Sequence, residues 1–264
     1  MSAPQHTHYD VLIIGAGMVG SSLACALTSS PKTLQHKFLL VEASAINFDS
    51  APRQPGYDAR STVLSAGSVS CFQQLGLWEA CSAAAEAITD IHVSDQGRFG
   101  SIRLSSSEEE VSALGYVVEN SALGSAINRT LLQRSQLELC APASVLSVKP
   151  CDEGMQVHLH TPHGEIQLTA ALVVLAEGGR SGLCQQLGIH HTQQLYEQTA
   201  LIANVSFTKP HRNVAYERFT AKGPLALLPL PEHKGEHRAA LVWTHSQTAA
   251  SRILDLPEAE FLTE

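Results

Sequence analysis

The sequence is short of basic charge: 17 Lys and Arg stand against 25 Asp and Glu over 264 residues, a net charge of −8. That balance leaves no basic footprint for a nucleic-acid backbone. It also argues against electrostatic attachment to anionic lipid, although a local apolar patch could still touch a membrane. Long apolar runs are missing too, and none approaches the roughly eighteen residues that a helical bilayer span requires. The amino terminus, MSAPQHTHYD, lacks the basic n-region of a secretory signal. Cysteine pairs at metal or redox spacing are absent: Cys25, Cys71, Cys81, Cys140, Cys151 and Cys184 are scattered without a CxxC. This usage reads as reduced, mostly buried thiols of a cytoplasmic protein. The thirteen histidines do not fall at ligand spacing with these cysteines, so no metal is expected. His158 and His160 alternate as on the solvated face of a strand.

What is present is enough apolar residue, 44%, for a sizeable core in one large domain or two intertwined ones. The most informative stretch runs from residue 9 to Ser44. An apolar run, Val11–Ile14, leads into Gly15-Ala16-Gly17-Met18-Val19-Gly20, then a helix-like segment, then a second apolar run ending at Glu42. Strand, glycine turn, helix, strand and terminal acid make up the dinucleotide-binding βαβ unit. Gly15 permits the tight turn, Gly17 lets the backbone approach a pyrophosphate, and Gly20 removes a side chain where helix and strand pack closely. The helix beginning near Met18 points free N–H groups and its positive dipole end at the diphosphate. Glu42, twenty-two positions beyond Gly20, stands where a carboxylate can accept hydrogen bonds from an adenosine ribose.

Further along, residues 45–60 read as an irregular loop rich in Pro and Asp, and residues 62–85 as a helix with Leu64, Val69, Phe72 and Leu75 near helical spacing and Gly76 as its stop. Alternation from Ile88 to Leu104 around Asp95-Gln96-Gly97 predicts a hairpin. Glu108–Glu110 reads as a solvated loop. A strand at Tyr116–Val118 precedes a helix over 120–134 that ends in Arg134. Several strands follow over 136–176, with a turn at Pro162-His163-Gly164, and Ala171–Ala176 suits a strand buried on both faces. The 195–244 segment is β-rich, with clear strands at Leu225–Leu230 and Ala239–Thr244. The expected fold class is therefore α/β, a Rossmann-like dinucleotide-binding domain interleaved with a β-rich region.

Several blocks carry a family resemblance from residue 9 to about residue 245: the glycine turn with its distal acid, Tyr57-Asp58-Ala59-Arg60, Ile91-His92-Val93-Ser94-Asp95, Leu175-Ala176-Glu177-Gly178 before Ser181, Tyr196-Glu197-Gln198 with Ala203-Asn204-Val205, and Glu217-Arg218-Phe219-Thr220 running into Gly223-Pro224-Leu225-Ala226. The chain resembles the FAD-dependent aromatic hydroxylases, the group A flavin monooxygenases, and among them the ubiquinone-biosynthesis hydroxylases that act on a polyprenylated methoxyphenol. The glycine motif is shared by many flavoproteins; the last block is far more particular.

The resemblance implies FAD-binding parts at about 9–90 and 112–190, and β-rich substrate parts at about 91–111 and 191–245. It implies FAD contacts at Gly15, Gly17, Gly20 and Glu42, at Arg60 through a planar guanidinium fork to phosphate, at Asn120, where an N-cap role explains an Asn equally well, and at Glu177-Gly178, where the family carries Asp-Gly. The implied reaction uses NADH or NADPH to reduce FAD, then O2, forming a flavin C4a-hydroperoxide that hydroxylates a prenylated phenol; no protein side chain is assigned a catalytic role. Other ubiquinone-biosynthesis proteins are implied partners, and peripheral contact with the inner membrane is left open. The family's third fingerprint is expected beyond Glu264, so the chain is read as C-terminally truncated. A non-catalytic flavin-binding fragment, or a flavoprotein dehydrogenase or oxidase of another pathway, is the alternative reading.

Overall fold

A computed structural model describes residues 4–48, 52, 54, 56–179 and 182–263. Ser181 and residues 49–51, 53 and 55 of the 45–60 loop, which the sequence reading included, lie outside the described residues. The chain divides into two compact units, each assembled from three segments. The α/β class expected from the sequence is borne out.

The first unit comprises Met1–Ala59, Phe72–Cys81 and Asn120–Thr192. Its six-stranded sheet has the order Leu137–Cys140, Phe38–Val41, His8–Ile14, Gly164–Leu175, Gly154–Thr161 and Ser144–Cys151. The first four strands are mutually parallel, and the last two return antiparallel. Leu12, Ile14, Leu39, Val41, Val157, Leu159, Leu168 and Ala170 form one continuous core. The helix Met18–Ser29 buries Gly20, Ser21, Ala24, Cys25 and Thr28, a stripe of small residues at helical spacing. Small side chains let it pack close to the helix Asn120–Leu132, which buries Leu123, Gly124, Ala126, Ile127 and Leu131.

The second unit comprises Arg60–Cys71, Ser82–Glu119 and Gln193–Glu264. Its six-stranded sheet runs Gln198–Phe207, Glu236–Ser246, Gly223–His233, Val214–Thr220, Asp90–Asp95 and Ser101–Ser105. A three-stranded sheet, Ser61–Ser65, Gly115–Glu119 and Ala85–Ile88, accompanies it. Ile88, Val117, Ala215, Leu230 and Ala240 form the shared core. The helix Gln247–Leu254, capped by Ser246 Oγ accepting from the Ala249 N–H at 3.4 Å, packs Ala250 and Ile253 against Leu201 and Trp243.

Three sequence expectations are corrected. Residues 62–85 are not one helix: Ser61–Ser65 is a strand, with Leu64 opposite Tyr116, and the helix occupies only Ala66–Gln74. β-Branched Thr62 and Val63 favour the strand, and a partner fifty residues downstream outweighs helical spacing. Gly76, at φ +70°, does stop the chain's helical course before the short helix Trp78–Cys81. Ala171–Ala176 is not buried on both faces: the antiparallel neighbour pairs only as far as Met155 opposite Ala170, and Leu172 is 55% exposed. Arg134 lies beyond the helix Asn120–Leu132, and its Nη2 donates to Leu75 O at 2.8 Å instead of serving the helix dipole.

Candidate functional site

At the carboxyl end of the first strand the chain turns sharply at Gly15, whose φ of +102° suits glycine alone. The Gly15 N–H donates to Val41 O at 2.8 Å and the Ala176 N–H donates to Ile14 O at 2.8 Å, so three parallel strands fix the turn. A Cβ at Gly15 would stand 2.7 Å from Ala176 O, and one at Gly20 would stand 1.9 Å from Gly15 O and 3.1 Å from Ala176 Cβ. Both glycines are thus required by the protein's own packing. Gly17 differs: a Cβ there meets nothing within 4 Å, and its backbone is extended at φ −74°, ψ −175°. The protein leaves that space open to a group from outside.

Gly17 is also the N-cap of the helix Met18–Ser29. No side chain caps that end and its first turn holds no acidic residue, so its N–H groups and positive dipole end suit an anion. Glu42, 9% exposed, closes the turn from the second strand. Its Oε2 accepts from the Ala16 N–H and its Oε1 from the Ser44 N–H, each at 2.8 Å. A carboxylate oxygen has two lone pairs, so each retains a second acceptor position for a sugar hydroxyl. The Glu42 backbone is held as well, donating to Cys140 O at 3.0 Å and accepting from the Ala143 N–H at 2.8 Å.

The Glu177-Gly178 pair lies beside the glycine turn, since Glu177 Cα would be 3.0 Å from a Cβ on Gly15. Gly178 and Gly179 follow with φ of +74° and +68°, two successive left-handed residues with open space at both Cβ positions. Glu177 is half-buried and Gly178 exposed. Asn120 is buried at the start of the helix Asn120–Leu132, where the Ser121 N–H donates to Asp58 O at 3.0 Å. Gly15, Gly17, Gly20, Glu42, Asn120, Glu177 and Gly178 therefore belong to one unit, whereas Arg60, exposed, opens the other.

The sequence reading quoted Tyr57 only within the Tyr57–Arg60 block and passed over Gly124 and the contact between the two. Tyr57 is 3% exposed, and a Cβ on Gly124 would stand 2.3 Å from its Cγ. A glycine inside a helix that costs about 1 kcal/mol relative to alanine was the available signal.

Burial holds the surrounding thiols protonated. The Cys25 thiol is pushed up to about 11, and burial also raises those of Cys81 and Cys140. Desolvation and a 2.6 Å hydrogen bond to Glu138 Oε2 keep the Tyr9 phenol neutral. No helix among the described residues is long and apolar enough to cross a membrane.

The FAD binding domain family matches residues 8–260. Ubiquinone hydroxylase UbiL of Rhodospirillum rubrum is 31% identical over 255 residues, 97% of this chain and 56% of that protein. The mitochondrial ubiquinone biosynthesis monooxygenase COQ6 of Rattus norvegicus is 30% identical over 265 residues, 96% of this chain and 54% of that protein. The chain thus spans about half the length of these curated relatives. Among solved structures, PqsL of Pseudomonas aeruginosa in complex with 2-aminobenzoylacetate shares the fold with a TM-score of 0.75 at 19% identity, over 97% of this chain and 65% of that one. The p-nitrophenol 4-monooxygenase PnpA of Pseudomonas putida does so with a TM-score of 0.69 at 14% identity, over 98% and 61%. With its glycine turn, Glu42 and the Glu177-Gly178 pair all inside the matched span, the chain belongs to the FAD binding domain family.

Proposed function

We propose that this chain is the FAD-holding and sheet-bearing part of a hydroxylase that oxygenates a polyprenylated phenol ring in ubiquinone biosynthesis, with NADH or NADPH as reductant and O2 as co-substrate. The observation that carries the cofactor reading is the open position at Gly17, flanked by two glycines that the protein itself requires. Open space beside a bare backbone, at a helix N-terminus without a side-chain cap, fits a diphosphate. Gly15, Gly17 and Gly20 shape that space, and Glu42 receives the ribose hydroxyls. The Glu177-Gly178 backbone and Asn120 complete the cofactor's surroundings, and Arg60 supplies a guanidinium for its phosphates. FAD, when bound, supplies the redox and oxygen-activating chemistry. The protein orients the cofactor and ring and excludes water.

The second unit offers a surface suited to an apolar ring. Along the register of its large sheet, Ile202, Val242, Ala226, Glu217, Val93 and Ile102 stand in one row across six strands, apolar at all but Glu217. The next row on that face, Ala240, Leu228, Ala215 and Ile91, sinks into the core. Ile202 and Phe219 on the same face are 43% and 45% exposed, leaving apolar surface for a prenylated substrate. Relatives named for ubiquinone hydroxylation support this choice of substrate class over another flavoprotein activity.

The test uses the chain extended to the full length of its relatives. NAD(P)H oxidation and incorporation of isotopically labelled O2 into a polyprenylated phenol are expected. Flavin reduction with a different acceptor and no labelled product would overturn the hydroxylase reading.

A further inference from the structure

Between the two helices of the first unit lies a buried cluster that the cofactor contacts do not use. Ser21, Gln54, Tyr57 and Asn128 are each no more than 3% exposed. Gln54 Nε2 donates to Asn128 Oδ1 at 3.3 Å, and the Gln54 carbonyl accepts from the Tyr57 N–H at 2.9 Å. The Tyr57 ring lies over Gly124, in a notch that no larger residue would leave open. Its hydroxyl stands beside Ser21 Oγ, in the first turn of the dinucleotide helix, where burial holds the phenol neutral. One residue on, the Asp58 carbonyl accepts from the Ser121 N–H. Arg60 follows two residues later in the sequence.

Shape holds the Tyr57 ring. It fills a fitted notch against Gly124, and the hydroxyl is buried beside Ser21 Oγ. We propose that Tyr57 is a positioning residue for the cofactor: its ring, seated against Gly124, fixes the backbone at Asp58 on the dinucleotide helices and through it the setting from which Arg60 binds FAD. The proposal rests on the FAD reading and deepens it, assigning a role to two residues outside the proposed cofactor contacts.

The notch makes the prediction specific. Tyr57→Phe keeps the ring in its notch and removes only the hydroxyl, so FAD affinity is nearly unchanged. Gly124→Ala drives a methyl into the ring and weakens FAD binding. Should Gly124→Ala fail to fold, Tyr57→Leu removes the ring without adding an atom and replaces it in every comparison. The decisive measurement is a double-mutant cycle with Arg60→Ala, using FAD titration by flavin fluorescence and thermal unfolding of each apoprotein. If Tyr57 acts through Arg60, Gly124→Ala weakens FAD by about tenfold in the wild-type background and by less than about threefold in the Arg60→Ala background. A purely structural role gives equal effects in both backgrounds, tracking the melting temperature, and overturns the proposal. So does a Tyr57→Phe variant as impaired as Gly124→Ala. A wild-type chain that takes up no FAD overturns the cofactor reading itself, and the proposal with it; FAD uptake with an additive cycle refutes the positioning role alone.

Discussion

Adding one methyl group to the glycine turn separates what the fold requires from what the ligand requires. In Gly20→Ala the new Cβ would lie 1.9 Å from Gly15 O, whereas ordinary carbon contacts lie near 3.5–4.0 Å, so something must retreat by roughly 1.5 Å. The carbonyl cannot swing aside easily. Gly15 is held at φ +102° with its N–H bonded to Val41 O, and Ala176 Cβ closes the other side at 3.1 Å. Overpacking of this kind costs about 3 kcal/mol, at the upper end of the usual range, offset by about 1 kcal/mol from the better helix propensity of alanine. A net loss of about 2 kcal/mol lowers the melting temperature of a chain this size by roughly 4–8 °C. Gly17→Ala adds the same methyl to open space on a backbone that alanine adopts freely, and costs less than about 1 kcal/mol. Thermal unfolding of the two apoproteins by circular dichroism reads the difference directly. A Gly20→Ala melting temperature equal to wild type, or a Gly17→Ala loss as large as that of Gly20→Ala, would refute the assignment of roles within the turn.

Three further outcomes follow from the same geometry. Glu42→Ala leaves the buried Ala16 N–H without its acceptor, which costs about 1–3 kcal/mol of stability and weakens FAD binding; Glu42→Gln, which keeps an acceptor oxygen, falls between, as unfolding and FAD titration will show. Glu177→Gln in the full-length protein weakens FAD or slows its reduction, since a charge-assisted hydrogen bond contributes about 1.5–3 kcal/mol; identical flavin affinity and reduction rate would remove Glu177 from the site. Alkaline pH destabilises the first unit: Cys25 is raised from 9.0 to about 11 on folding, so its contribution is complete below pH 9 and is lost as pH rises towards 11, roughly 2–3 kcal/mol in all. Melting temperatures from pH 8 to 11 are expected to fall less steeply in Cys25→Ala than in wild type.

The elements that were legible in the sequence are those that local pattern determines. Val11–Ile14, the glycine turn and Glu42 announce the βαβ unit because strand period, turn chemistry and helix entry coincide within thirty-five residues. The hairpin over Asp90–Asp95 and Ser101–Ser105 was legible for the same reason. Ser61–Ser65 was hidden because its partner, Gly115–Glu119, lies far downstream and the helical spacing of Leu64 with Val69 and Phe72 was fortuitous. Leu172 misled because an apolar run does not reveal where its neighbour's pairing ends. In the site, the sequence named Gly15, Gly17 and Gly20 together but could not separate the two that the protein's own packing forbids to carry a Cβ from the one that open space surrounds. The contact of Tyr57 with Gly124 escaped because a steric fit between a loop and a helix leaves no periodic trace.

The central claim, that open space at Gly17 is the seat of the FAD diphosphate, is tested most directly by titrating FAD into the purified wild-type and Gly17→Leu proteins. The account predicts stoichiometric flavin binding by wild type and its collapse in Gly17→Leu, with melting temperatures of the two apoproteins nearly equal because the leucine side chain meets no protein atom at Cβ. Undiminished flavin binding by Gly17→Leu would contradict it.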